Sequence, residues 1–225
     1  MKHTPTPTSP INNTSNYLNE SKATAEQRAA LRELTDELRQ LTNLCCTLNA
    51  DEQTLVSLAS EIRTARLRAE EHSEHRLLEF FRTSVVDDPT DGMQPYSPVG
   101  GSHNAVTPPI NYRKIDERII GEVMYGLAHE GPARCVHGGI LSAVFDQLMG
   151  ITCVTFGRPG FTANLDVKYR LPTPLERKLE FHAWIEKIDG KKTFVHAECV
   201  AEGASQIFCE AQGLFIYTNP DEITG

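Results

Sequence analysis

From Gly138 to Thr155 the chain carries one charged residue, Asp146, in an otherwise apolar or small stretch headed by Gly138-Gly139. That pattern predicts a glycine-started helix running into a core. Val144, Phe145, Leu148 and Met149 flank the carboxylate on both sides and leave it no obvious solvent face. An ionised carboxylate in such surroundings is costly unless it is paired. A core helix with no chemical task would more safely carry Leu or Ala there, so Asp146 is read as functional.

The residues after this helix fix the fold class. Phe161 to Arg170 alternates strictly: Phe161, Ala163, Leu165, Val167 and Tyr169 are expected on one face, and Thr162, Asn164, Asp166, Lys168 and Arg170 on the other. Three more strand-like runs come at about 178–188, 193–201 and 206–217. The short connections Asp189-Gly190-Lys191 and Glu202-Gly203 between them are typical of antiparallel hairpins. Upstream, Ile119, Ile120, Val123 and Tyr125 form a further strand, preceded by an extended piece near Ile110 to Ile115. One apolar helix and a meander behind it predict an α+β architecture, a curved antiparallel sheet wrapped around a helix buried on nearly all sides.

At 225 residues the chain has room for one full core and an appendage. Residues 1–22, rich in Pro, Thr, Ser and Asn, read as a disordered tail. Residues 23–86 read as a helical extension. Leu31, Leu34, Leu38, Leu41, Cys45 and Leu48 form a seam that resumes at Leu55, Leu58, Ile62, Ala65 and Ala69, with Asn49 and Glu52 as the expected capping box of the second helix. The two helices are expected to form an antiparallel hairpin or short coiled coil, packing on their own domain, joining two subunits or holding a partner. Residues 87–108 are a Pro/Gly-rich connection, and 109–218 form the principal domain, the sheet with its central helix. A net charge of -8 disfavours nucleic-acid binding. No apolar run is expected to span a bilayer, and the N-terminus lacks a secretory pattern. The six cysteines are therefore read as reduced thiols of a cytoplasmic protein.

Val136-His137-Gly138-Gly139, Asp146, Thr162-Ala163-Asn164-Leu165 and Tyr169-Arg170-Leu171-Pro172-Thr173-Pro174 together resemble the hotdog-fold acyl-CoA thioesterases, in the branch of the phenylacetate-pathway enzyme. The resemblance covers about residues 95–217 and leaves the preceding helices unexplained. It implies an enzyme of lipid metabolism that hydrolyses acyl-CoA to a free acid and CoA, with CoA entering only as part of the substrate. It also implies a homodimer, or a dimer of dimers. It places Thr162 beside the acid or the attacking water, and His137 beside the oxyanion donors.

The residues themselves support the same chemistry. Helix-start amides are unpaired and carry the positive end of the dipole, so Gly138 and Gly139 suit an oxyanion. Asp146 is the candidate general base, or the nucleophile of a transient anhydride. Eight residues separate it from Gly138, about 12 Å along a helix. One carbonyl cannot touch both, and an antiparallel pair of helices from two subunits resolves the conflict. His137 either orients the thioester or merely caps the helix. Asn164, Lys168 and Arg170 are the candidate substrate contacts, the two cations for CoA phosphates. No metal set, phosphate loop or dinucleotide fingerprint is evident, so no cofactor is expected. The competing readings are a non-catalytic acyl-CoA sensor or carrier, an enoyl-CoA hydratase, and a Cys135 nucleophile.

Overall fold

The computed structural model describes residues 23–73 and 94–219. The expected N-terminal tail, the end of the helical extension (74–86) and residues 87–93 of the Pro/Gly-rich connection lie outside them. Six strands form one antiparallel sheet: β1 (Asn111–Ile115), β2 (Arg118–Met124), β3 (Gly160–Tyr169), β4 (Lys178–Asp189), β5 (Lys192–Ala201) and β6 (Ile207–Tyr217). Their spatial order is β1-β2-β4-β5-β6-β3, so β3 forms an edge. Gly190 and Gly203 take positive φ in the turns that close the hairpins, a conformation open to glycine. A helix from Gly138 to Thr155, here α3 in chain order, packs across β2 to β6. This is the hotdog arrangement expected from the sequence.

Period-two burial places Phe181 and Ala183 of β4, and Val195 and Ala197 of β5, against the helix. Phe145 meets Phe181 edge-on at 5.3 Å between ring centroids, a favoured aromatic geometry. The helix is nevertheless not buried all round. Leu141, Val144, Phe145, Leu148 and Thr152 face the sheet, whereas Gly139, Ala143, Asp146, Gly150 and Val154 recur at helical spacing on the opposite side. Asp146 is exposed, which corrects its expected burial. The reason is angular: an apolar residue neighbouring Asp146 in sequence points about 100° away around the helix. By length and composition α3 also qualifies as a membrane span, contrary to expectation, yet eight of its residues are buried within this fold.

The two helices before the domain are α1 (Ala25–Cys45) and α2 (Glu52–Glu70). Thr24 and Gln27 form a capping box on α1. The cap of α2 is Asp51, which accepts the Thr54 N–H at 2.8 Å, and not the expected Asn49. The leucine seams do not close on each other: Leu34, Leu38, Leu48, Leu55 and Ile62 are all exposed, and no residue of α2 is buried. Instead α1 docks by a polar row. Thr35, Arg39 and Asn43, one turn apart, bond to the backbone of residues 102–104 and to Ala128. Turning this row inward turns Leu34 and Leu38 outward, while Leu31 and Leu41 stay half-buried.

Because Phe145 is fully buried against Phe181, Phe145→Ala is expected to destabilise the domain by about 3–5 kcal/mol. Urea unfolding measures this, and a wild-type midpoint contradicts the assignment of this contact to the core.

Candidate active site

The segment before α3 is held from several sides. Val136 N–H donates to Thr173 O, and His137 N–H to His129 O, each at 2.9 Å. Gly131 passes so close that a Cβ there would lie 2.7 Å from His137 Cα. His137 then serves as the N-cap of α3: its Nδ1 accepts the Gly139 N–H at 3.0 Å. An accepting Nδ1 puts the proton of the neutral ring on Nε2, which is left as a donor. The carbonyl of the same Gly138–Gly139 peptide is held as well, by the Tyr169 hydroxyl at 2.8 Å and Ser142 Oγ at 3.2 Å. Among the described residues the Gly138 N–H has no acceptor. The helix start thus offers one free amide, one amide lent to a histidine, and a peptide plane fixed at both ends.

This helix start opens on a hollow of about 500 Å³, whose wall includes Pro132, Val136, Gly138, Gly139, Leu141, Tyr169 and Thr173. A separate hollow of about 220 Å³ contains Asp146, Gln147, Gly160, Phe161 and Thr162. There the Thr162 hydroxyl donates to Asp146 Oδ1 at 2.7 Å. The two hollows have no wall residue in common.

Thr162 reaches the acid because β3 does not alternate as its sequence suggests. A bulge between Thr162 and Asn164 adds an unpaired residue, and a bulge slips the two-residue period. Thr162 pairs with the core residue Phe215 and shares the helix side with Leu165, Val167 and Tyr169. Asn164 pairs with Leu214 and Lys168 with Glu210, on the other side. The expected grouping of Thr162 with Asn164 and Lys168 is therefore corrected.

The structure joins Asp146 with Thr162, and His137 with Gly138 and Gly139, while Asn164 and Lys168 sit apart from both groups. Arg170 borders the larger hollow, but its guanidinium donates to Glu210 at 2.6 Å. Lys178 is paired with Glu122 and Glu202. The Cys135 thiol meets the Ala133 carbonyl at 3.5 Å, with no base beside it among the described residues. Sequence reasoning misses Tyr169 and Ser142 as residues of the site, and Glu210 as the partner of Arg170. Ser142 was legible at one turn from Gly138; the other two depend on strand pairing.

Residues 135–207, from the loop before α3 to the start of β6, match the family described as the thioesterase superfamily. Acyl-coenzyme A thioesterase THEM4 of Mus musculus is 31% identical over 111 residues, 49% of this chain and 48% of that relative. The Xenopus laevis THEM4 is 32% identical over 109 residues, 48% of this chain and 49% of its own. The chain thus spans about half the length of the curated relatives it matches. A solved structure described as a thioesterase superfamily protein superposes with a TM-score of 0.73 at 23% identity, covering 89% of this chain and 98% of its own. The matched segment lies within the domain built around α3, and the superposition shows that this chain shares the fold of that structure.

The Arg170 hydrogen bond and its charge hold the Glu210 carboxyl below the usual carboxylate range. The pair's stabilisation is therefore present above the ordinary Glu pKa of about 4.3 and is lost as pH falls through the depressed value. In a carboxyl NMR titration Glu210 is expected to titrate low in the wild type and to return to the ordinary range in Arg170→Gln. An unchanged Glu210 in that variant contradicts the pairing.

Proposed function

We propose that this chain hydrolyses acyl-CoA thioesters to a free acid and CoA, at sites shared between two copies. The observation that carries the reading is the Asp146–Thr162 pair, an acid held at 2.7 Å by a hydroxyl on the uncovered side of α3. Its likeness to acyl-CoA thioesterases along about half of their length supports the substrate class.

The chemistry divides between the two hollows. The thioester carbonyl oxygen takes the Gly138 N–H and the positive end of α3, with His137 Nε2–H or the released Gly139 amide as second donor. Such donors stabilise the developing oxyanion because they are fixed before charge appears. Asp146 draws the proton from an attacking water, or attacks the carbonyl itself to give an anhydride that water then hydrolyses to the free acid; Thr162 holds the carboxylate in either case. The C–S bond breaks as the C–O bond forms, and the thiolate leaves and takes up a proton as CoA, with no change of oxidation state.

A second copy is required by distance. Within one chain the helix start and Asp146 are about 12 Å apart and open on different hollows. The uncovered stripe of α3 is small at Gly139, Ala143 and Gly150, and so lets a second α3 approach closely. An antiparallel partner would bring its helix start to this chain's Asp146, and the reverse.

Thiol release from a panel of short, medium, long and aromatic acyl-CoA esters tests the reading. Asp146→Asn is expected to lower kcat by about 10²–10⁴-fold with folding intact. Thr162→Val, which removes only the bond to the acid, is expected to lower it about tenfold. Turnover that survives Asp146→Asn removes this residue as the catalyst. Saturable binding without turnover on any ester makes the protein an acyl-CoA sensor or carrier.

A further inference from the structure

We infer that α1 is a brace for the start of α3, with Asn43 as a positioning residue for the thioester site; this rests on the thioesterase reading. The link begins at the 3₁₀ turn Leu127–His129. Its N-cap position is Gly126, which supplies no side-chain cap. Asn43 provides one from outside: its Oδ1 accepts the Ala128 N–H at 2.9 Å. Gly126 is the seat for this side chain, since a Cβ there would lie 2.5 Å from the Asn43 amide. The turn then passes the constraint on. His129 O accepts the His137 N–H at 2.9 Å, and His137 Nδ1 accepts the Gly139 N–H at 3.0 Å. Three consecutive hydrogen bonds therefore run from α1 to the amide at the head of α3.

The way α1 is attached fits positioning better than simple burial. Arg39 donates to the carbonyls of Ser102 and Asn104 at 2.8 and 3.0 Å, and Thr35 to Ser102 O at 3.3 Å. These contacts, with Asn43, occupy one polar row, while Leu34, Leu38 and Leu44 of the helix stay exposed. Directional bonds fix a helix in register, whereas apolar contact alone lets it slide. The superposition with the solved thioesterase-superfamily structure covers 89% of the chain, more than residues 94–219 can supply, so the shared fold extends over this N-terminal region.

The test compares Asn43→Ala with Asn43→Asp, which keeps the accepting oxygen, in the full chain. Asn43→Ala is expected to lower kcat about tenfold while KM for the best acyl-CoA stays within about twofold; Asn43→Asp recovers most of the loss. The double variant Asn43→Ala/His137→Ala is expected to be no worse than His137→Ala, because both act along one connection. The ¹H–¹⁵N signals of the Gly139 amide and the His137 ring should shift in Asn43→Ala and return in Asn43→Asp. A folded Asn43→Ala protein with wild-type kcat and an unmoved Gly139 amide overturns the proposal, as does full additivity with His137→Ala. If the wild type hydrolyses no acyl-CoA, the thioesterase reading fails by itself, and the Gly139 shift alone decides whether α1 sets the helix start.

Discussion

Phe145 meets Phe181 at 5.3 Å, and around that contact one side of α3 is sealed against the sheet. The sealing is one-sided, and the rest of the site depends on it. Leu141, Val144, Leu148 and Thr152 hold the helix by the face that meets β4 and β5. Asp146 lies on the far side, exposed in the single chain and outside the core that the sheet seals. Had the sheet wrapped the helix fully, this acid would have needed a buried partner to offset several kcal/mol of desolvation.

The edge position of β3 completes this geometry. β6 pairs with it on one side only, so its other edge is open. The bulge after Thr162 turns a residue of that edge strand toward the helix, where its hydroxyl can reach Asp146. At the opposite end of the same strand, Tyr169 secures the Gly138 carbonyl. One strand therefore serves both halves of the proposed chemistry, at its start the acid and at its end the helix N-terminus. The two ends stay apart, which makes a second copy part of the proposed mechanism instead of an addition to it.

Much of this was legible in the residues. Apolar length and the glycine pair marked α3 from Gly138 to Thr155, and the hairpin turns fall at Gly190 and Gly203 as their sequence signals indicate. Asp146 and Thr162 both stand out as candidates in the sequence, and they meet in the fold. Other expectations failed for identifiable reasons. Period-two reading of β3 assumes an unbroken ladder, and the bulge carries no signature in Thr162-Ala163-Asn164. Burial of Asp146 was inferred from its sequence neighbours, whereas a helix presents neighbours to different sides. The leucine seam of α1 and α2 suggested apolar packing, but α1 docks through Thr35, Arg39 and Asn43, whose partners are backbone groups far along the chain. Backbone partners leave no residue type by which a sequence could reveal them.

The shared site is the central claim, and subunit complementation tests it most directly. Asp146→Asn removes the acid half, and Gly138→Val fills the space in front of Tyr169 at the helix start. Each is expected to be inactive alone. Mixed one to one under subunit exchange, with heterodimers verified by native mass spectrometry, they are expected to recover about a quarter of wild-type activity, since half the dimers then hold one intact site of two. Heterodimers that form yet stay inactive would contradict the account, because each site would then draw all its parts from one chain.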